Sequence, residues 1–467
     1  MLWLCLHLPH FAMELRQPAP AGPAAVIERH GARRVVLACN ESARELNVFP
    51  QLDVTVALAR EPQLQMFDRS RSAELQALKA LAGWAMQFSS HVSFDAQRWR
   101  LWLEVGASLR YFGNLSALRA RVGEGIALLG YTAQLGIAPT PEGAALLAVN
   151  DHSIAVTALS RLRETLAPLP LETLALDDKA HLALRASGLR RVDEVLELPA
   201  DSLARRFGPE ACDYLRRLLG ESPDVRTPCR VPARYRRMFE FAEGVETVEG
   251  LLFPLRRLLQ EFQGFLRGRD TAVQTLRLDL THHDAPGTTL TLHTSAPQRD
   301  AQRLFALLRE KLERTVLPEA VLGLCLSAQQ FVPLGCTQGD LFDPSPQNDA
   351  GWSELLDKLR ARLGEQCVQH LGLLDDHRPE KAWCVQHDAT AAQLPAGFPD
   401  RPLWIIEPKP LTRLPQLLGT PERIEAGWWQ RADTSRDYYL ARTEEGARWW
   451  LYRDALTRQW FLQGLWG

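Results

Sequence analysis

The pentapeptide Gln338-Gly339-Asp340-Leu341-Phe342 sets two adjacent apolar side chains behind a short polar lead. Leu341 and Phe342 suit an apolar pocket on a partner, with Gln338 hydrogen-bonding at its rim. In that mode a few anchors supply most of the binding energy. Two other segments suit an anion. Ser187-Gly188-Leu189 and Arg206-Phe207-Gly208-Pro209 each lie between helical patterns, and a glycine turn there turns backbone N–H groups toward phosphate. The same turns also read as glycine C-caps in a small helical subdomain. Downstream, Arg256, Arg257 and Arg277 belong to an arginine-dense stretch. Glu261, Asp270 and Asp279 partly offset it, so it reads equally as a solvated face.

The bulk composition narrows the classes. With 54 Lys+Arg against 56 Asp+Glu the formal charge is −2, so any nucleic-acid contact must come from local patches. None of the eight cysteines forms a CxxC pair, which predicts reduced, mostly buried thiols. No metal site and no cofactor are expected. The apolar run 1–9 is too short for a secretory core, and no later stretch approaches the length of a membrane span. The expectation is a cytoplasmic protein of roughly three domains by the length prior.

Periodicity supplies the elements that must position these residues. Strands are expected at 2–8, 24–27, 34–39, 92–94, 99–105 and 133–137, with helices at 72–88 and 115–129. That order suits an α+β layer. Residues 171–220 read as short helices. From 236 the pattern becomes β-α-β-β-α-β, and 343–349 reads as a polar linker. Seven of the thirteen tryptophans fall between Trp404 and Trp466, so the tail has a composition of its own. Alternation over 438–452 predicts a small antiparallel sheet, used as a compact core, as a protein-binding face, or as both.

Three segments resemble Y-family (translesion) DNA polymerases in the right order. Residues 5–14 resemble the opening motif D-x-D-x-F-[FY]-A-x-V-E. Residues 40–52 resemble the finger motif, with Arg44 kept. Residues 103–113 resemble the L-D-V-T-G-S-x-x-L-F-G that follows the catalytic acid pair, and Gly136-Ile137-Ala138 starts the last palm motif. The resemblance implies a right hand. It has a palm (1–22 and 80–165), fingers (23–79), a helix-hairpin-helix thumb (166–228) and a little finger (229–337). Beyond these come a clamp motif with its linker (338–349) and an aromatic-rich C-terminal extension (350–467).

The departures decide what that hand does. A two-metal polymerase needs carboxylates to hold Mg²⁺. At those positions stand Cys5, Trp99 and Arg100, and His7 takes the second acidic place of the first motif. A thiol and an imidazole are poor ligands for a hard cation, and a guanidinium has the wrong sign. His10 replaces the aromatic gate, Glu41 the triphosphate-binding tyrosine, and Pro141 and Ala145 the palm lysines. A gapped alignment offers Asp95 as a lone acid. Gln338, Asp340, Leu341 and Phe342 resemble the bacterial sliding-clamp peptide Q-L-[SD]-L-F.

An inactive palm with a clamp motif and an aromatic tail resembles the ImuB-type branch of the family. That likeness implies a non-catalytic adaptor in damage-induced translesion synthesis, associated with the nucleoid when engaged. Its implied partners are DNA, the sliding clamp, an ImuA-like RecA-related protein and an error-prone C-family polymerase subunit, with no membrane. Two alternatives stay open. One is an active Y-family polymerase with an unusual metal site. The other is a helix-hairpin-helix DNA-binding module unrelated to the replisome.

Overall fold

The computed structural model describes all residues except 17–19, 21, 32, 152–153, 231, 335–345, 365–366, 375, 387–399, 428–433 and 467. The clamp-like segment 338–342 and Trp428-Trp429 therefore lie outside the described residues. The chain divides into two compact units, Met1–Arg362 and Leu363–Gly467.

The first unit is built on a four-stranded sheet in the order β5-β6-β1-β7, from β1 (Trp3–His7), β5 (Val92–Asp95), β6 (Arg100–Glu104) and β7 (Gln134–Ala138). Every pairing is antiparallel. One face packs on α4 (Arg71–Ala85) and α6 (Leu115–Leu128) through Leu4, Leu6, Leu78, Leu81, Leu101 and Val122. The other face carries Trp3, Cys5 and Trp102 and is covered by α7 (Pro141–Val149). Strand alternation produces this division, since successive side chains leave opposite faces. The fingers add β2 (Ala24–His30), β3 (Arg33–Cys39) and β4 (Gln65–Asp68), with β4 parallel to β2. They also hold α2 (Glu41–Glu45) and α3 (Val54–Arg60), and α1 (Phe11–Glu14) follows β1 in the palm. Gly31, in the left-handed region at φ 63°, closes the hairpin between β2 and β3.

A short α5 (Leu109–Phe112) precedes α6, and the thumb follows α7. It comprises α8 (Leu159–Leu166), α9 (Asp178–Ala186), α10 (Val192–Leu196), α11 (Ala200–Phe207) and α12 (Pro209–Leu219). Both expected glycine turns are present, with φ 86° at Gly188 and 82° at Gly208. The little finger is β8 (Tyr235–Val245), α13 (Val248–Gly268), β9 (Thr271–Thr281), β10 (Thr288–Gln298), α14 (Ala301–Glu313) and β11 (Val321–Ala328). Its sheet runs β10-β9-β11-β8, and a short β12 (Val332–Pro333) extends beside β9. The observed fold is the α+β class, with the β-α-β-β-α-β order read from the sequence.

The little finger meets the palm along α13 and α4. Gly264 faces Trp84 so closely that an added Cβ would stand 2.2 Å from its Cδ1, and at Gly268 a Cβ would meet Met86 Cβ at 2.8 Å. Trp84 is pressed from its other side by Gly125, where a Cβ would come within 2.6 Å of Cζ2. Close approach of this kind needs residues without side chains.

The linker expected over 343–349 is partly helix. α15 (Pro346–Leu363) begins inside it and packs on the little finger: Asp357 accepts from Ser295 N at 2.8 Å, and Arg303 pairs with Glu354 at 2.7 Å. The structural boundary thus falls at Leu363, not at residue 350. Pairing to one face of the little finger stabilises that helix, a tertiary effect that local composition does not reveal.

The second unit holds a hairpin, β13 (His370–Leu373) with β14 (Trp383–Gln386). It also holds a five-stranded antiparallel sheet in the order β15-β19-β18-β17-β16. These strands are β15 (Trp404–Pro410), β16 (Gln416–Ala426), β17 (Thr434–Arg442), β18 (Arg448–Asp454) and β19 (Trp460–Leu465). The tail aromatics serve as its core: Tyr438, Trp450 and Tyr452 are buried together, with Tyr438 stacked on Trp450 at 4.2 Å.

Candidate nucleic-acid interface and the altered palm

β1 lies between β6 and β7, so Cys5 stands opposite Trp102 on one side and Gly136 on the other. His7 stands opposite Arg100. Residues directly paired across strands share a face, and so do residues two apart. Cys5, His7, Arg100 and Trp102 therefore occupy the one face where the resemblance would place metal-binding acids. Gly136 brings α7 down onto that face, because a Cβ there would stand 2.1 Å from Ala144 O. Cys5 is wholly buried, and burial pushes its thiol up to about 12. His7 is held down at about 4, first by burial and then by the Arg100 charge.

Two further groups close this face. Trp102 Nε1 donates to Pro141 O at 2.9 Å. Arg226, from the segment joining thumb to little finger, lies 4.2 Å over the Trp102 ring and donates to Glu142 at 2.6 Å and Asp224 at 2.8 Å. Glu142 is itself buried, so its carboxylate is committed to that guanidinium.

Trp99 points elsewhere. It adopts a left-handed φ of 51°, and its Nε1 donates to Glu74 at 2.9 Å. Glu74 is also held by Arg69 at 2.7 Å, and Arg69 lies 5.4 Å over the Trp99 ring. Asp95 caps its own turn by accepting from Gln97 N at 2.8 Å and Arg98 N at 3.3 Å. No group of three His, Cys, Asp or Glu side chains stands together to hold a metal among the described residues. A buried thiol, an imidazole and a guanidinium on one face do not fit a Mg²⁺ pair. At the fingers, a concavity of about 320 Å³ is lined by His10, Met13, Asn40, Glu41 and Arg44. Arg44, which the resemblance would place at a triphosphate, reaches His10 Nδ1 at 3.2 Å and Glu41 at 3.6 Å, so its guanidinium is held by its own neighbours.

The expected DNA-binding residues divide among surfaces. Open space surrounds Gly188 and Gly208, which leaves both thumb turns approachable. Arg277 is exposed on the free face of the little-finger sheet, bonded to Asp279 at 2.8 Å. In register, Arg277 pairs with Ser327 and Thr291, and Ser327 pairs with Arg236. Arg236 and Arg277 thus flank Ser327 on one row across three strands. Alternation in 236–241 was the available signal for Arg236. Arg256 lies on α13 instead, over Phe305 at 4.8 Å. Arg257 is buried against the palm, 4.3 Å over the Tyr131 ring. As placed here it serves the palm–little-finger contact, and it shares no surface with Arg277.

Residues 10–148 match the impB/mucB/samB family. Two proteins named Protein ImuB, from Caulobacter vibrioides strains NA1000 / CB15N and ATCC 19089 / CIP 103742 / CB 15, are each 26% identical over 461 residues, 90% of this chain and 100% of theirs. Residues 10–148 are thus similar to the impB/mucB/samB family, in a chain similar along most of its length to the two ImuB proteins. Among solved structures, DinB from Sulfolobus solfataricus is similar at TM-score 0.37 and 13% identity over 71% of this chain and all of its own. A DinB-family error-prone polymerase from the same organism gives 0.40 and 14% over the same shares. No helix among the described residues of this ImuB-like chain is long and apolar enough to cross a membrane.

Proposed function

We propose that this ImuB-like chain is a non-catalytic adaptor for damage-induced translesion synthesis. One observation carries the reading: the palm face that would hold two metal ions is filled by Cys5, His7, Arg100 and Trp102 under α7 and Arg226. The hand keeps a polymerase's outline, so it grips primer–template DNA through the Gly188 and Gly208 turns and the Arg236–Arg277 sheet face. Gln338, Asp340, Leu341 and Phe342 dock on the sliding clamp. An ImuA-like RecA-related protein and an error-prone C-family polymerase subunit complete the assembly.

Primer extension in Mg²⁺ or Mn²⁺ tests the absence of catalysis. The expected result is no extension, also after Cys5→Asp, Trp99→Asp and Arg100→Glu are combined, because Glu41 and Pro141 still spoil the triphosphate site. Extension that Asp95→Asn abolishes would overturn the reading. Alanine at Gln338, Leu341 and Phe342 together tests the tether. Micromolar peptide affinity corresponds to about 8 kcal/mol, and losing two apolar anchors removes most of it. Clamp capture by the triple variant at wild-type strength would refute the tether.

A further inference from the structure

The little-finger sheet ends on β8, and its order β10-β9-β11-β8 leaves one long side of that strand without a neighbour. Every register partner of β8 lies on β11. Among the described residues, no group off β11 bonds to the main chain of 235–241. The fingers sheet ends in the same way, since β4 pairs only with β2. Both edges border one cavity of about 450 Å³, lined by Phe67 of β4, by Met238, Phe239 and Glu240 of β8, and by Tyr131 and Leu258. That volume is in the range of ligand sites. An unpaired edge is a row of N–H and C=O groups that another chain can extend, and proteins blunt such edges by shortness, proline or a cover. β4 is blunted: it has four residues, and Arg16 donates to Asp68 O at 2.5 Å. β8 has eleven residues and no proline, and its register is regular from Tyr235 to Glu240.

The side chains of β8 say what kind of strand would fit. Phe239 packs on the little-finger core beside Phe241 at 5.2 Å, and Arg237 reaches Glu261 of α13 at 3.3 Å. Met238 and Glu240 leave the opposite face, and both are exposed. A strand laid along this edge would set alternate side chains beside Phe239, in the apolar part of the cavity, and the others beside Met238 and Glu240. The cavity's charges select the second set. Of its three acids, Glu261 is held by Tyr235 and Arg237, and Glu74 by Arg69 and Trp99. Its cations are engaged too, Arg16 over Phe67 and Arg257 over Tyr131. Glu240, the third acid, makes no ion pair among the described residues. The charge left over is therefore negative and asks for a basic residue.

We propose that the free edge of β8 is a docking slot for an extended segment of a partner protein, apolar at alternate positions and basic between them. The segment adds a strand to the little-finger sheet through main-chain hydrogen bonds, and its side chains set specificity. Neither the sliding clamp nor DNA enters this interaction, so it stands or falls apart from the adaptor reading.

Hydrogen exchange of the full chain tests the slot, with an acetylated octapeptide alternating valine and lysine as the probe. The peptide should slow exchange of the amides in 235–241. The same peptide N-methylated at every residue keeps its side chains, lacks their N–H groups and should protect nothing. Glu240→Lys should weaken the lysine peptide about tenfold, the loss of one charge-assisted hydrogen bond, as anisotropy of labelled peptide would read. A peptide alternating valine and glutamate should show the reverse preference between wild type and Glu240→Lys. Adjacent residues of an edge strand aim their N–H groups to opposite sides. Of Met238→Pro and Phe239→Pro, only one therefore removes a ladder donor, and the variant that melts closer to wild type should have lost the peptide. Unprotected amides in 235–241, equal binding of the N-methylated peptide, unchanged affinity in Glu240→Lys, or binding retained by that better-folded proline variant would each overturn the slot. Protection of 235–241 by oligothymidylate and not by the peptide would give the edge to single-stranded DNA and overturn it as well.

Discussion

His7 has lost most of its basicity to burial and to the guanidinium opposite it, with His10 adding a smaller effect in the same direction. Its imidazole sits at about 4 in the fold against an ordinary value near 6.5. A depressed histidine contributes nothing unfavourable while both states are neutral, above about pH 6.5. As pH falls from there toward 4, the unfolded chain takes up a proton that the fold resists, and stability declines by at most about 1.4 kcal/mol per pH unit. Below 4 both states are protonated and the loss stops. Urea midpoints between pH 7 and 4 should therefore slope less steeply in His7→Asn than in wild type; equal slopes would place the titration elsewhere. Cys5 gives a second measurement. Wholly buried, with a thiol near 12, it should resist iodoacetamide in the native protein while exposed Cys367 alkylates, as peptide mass spectrometry would show. The motif assigns Cys5, Trp99 and Arg100 neighbouring positions; in the fold Cys5 and Arg100 share a face, while Trp99 turns to Glu74. Arg226 was not legible in the sequence, since it reaches Trp102 and Glu142 from a distant linker and no local pattern marks it.

Helices and strands were legible to the degree that one face differs from the other. α4, with its apolar residues at helical spacing, and the little-finger strands with their period of two both emerged. α7 did not, because every residue from Pro141 to Ala148 is buried and no amphipathic stripe remains to be read. β4 was missed as well, being a four-residue parallel strand with little burial of its own. The crossing of α13 over α4 depends on Gly264 against Trp84, a pairing invisible before the helices are placed. Gly264→Ala should destabilise the first unit by about 1–3 kcal/mol, the usual cost of overpacking a tight core. Gly351→Ala, on α15 with open space around it, should instead stabilise by about 0.5–1 kcal/mol through its helix propensity. Chemical denaturation of the two variants checks both signs.

At the scale of the molecule, two compact units meet at Leu363. Each has its own apolar cluster, one around Phe262 and Leu308 in the little finger and one around Tyr438 and Trp450 in the tail. Scanning calorimetry of the intact chain should resolve two transitions. Lowering the pH toward 4 should move the one that contains His7 more than the one that contains Trp450. A single transition at every pH would mean that the units fold as one. The right-hand outline was legible from motif order alone. The division at Leu363 was not, because α15 looks like linker until the little finger gives it Ser295 and Arg303 to hold.

The bare backbone at Gly264 and Gly268 also sets a rule for exchanging domains. A little finger transplanted from a relative brings its own α13, and it can seat against this palm only if it carries small residues at those two successive turns. A donor helix with leucine at either place would meet Trp84 or Met86 head on. The partner change would then lie in the palm, at residues 84 and 86. Chimeras of these hands should thus succeed or fail on a helix crossing, and matching the palm tryptophan to the incoming glycine matters more than matching the strands of the little-finger sheet.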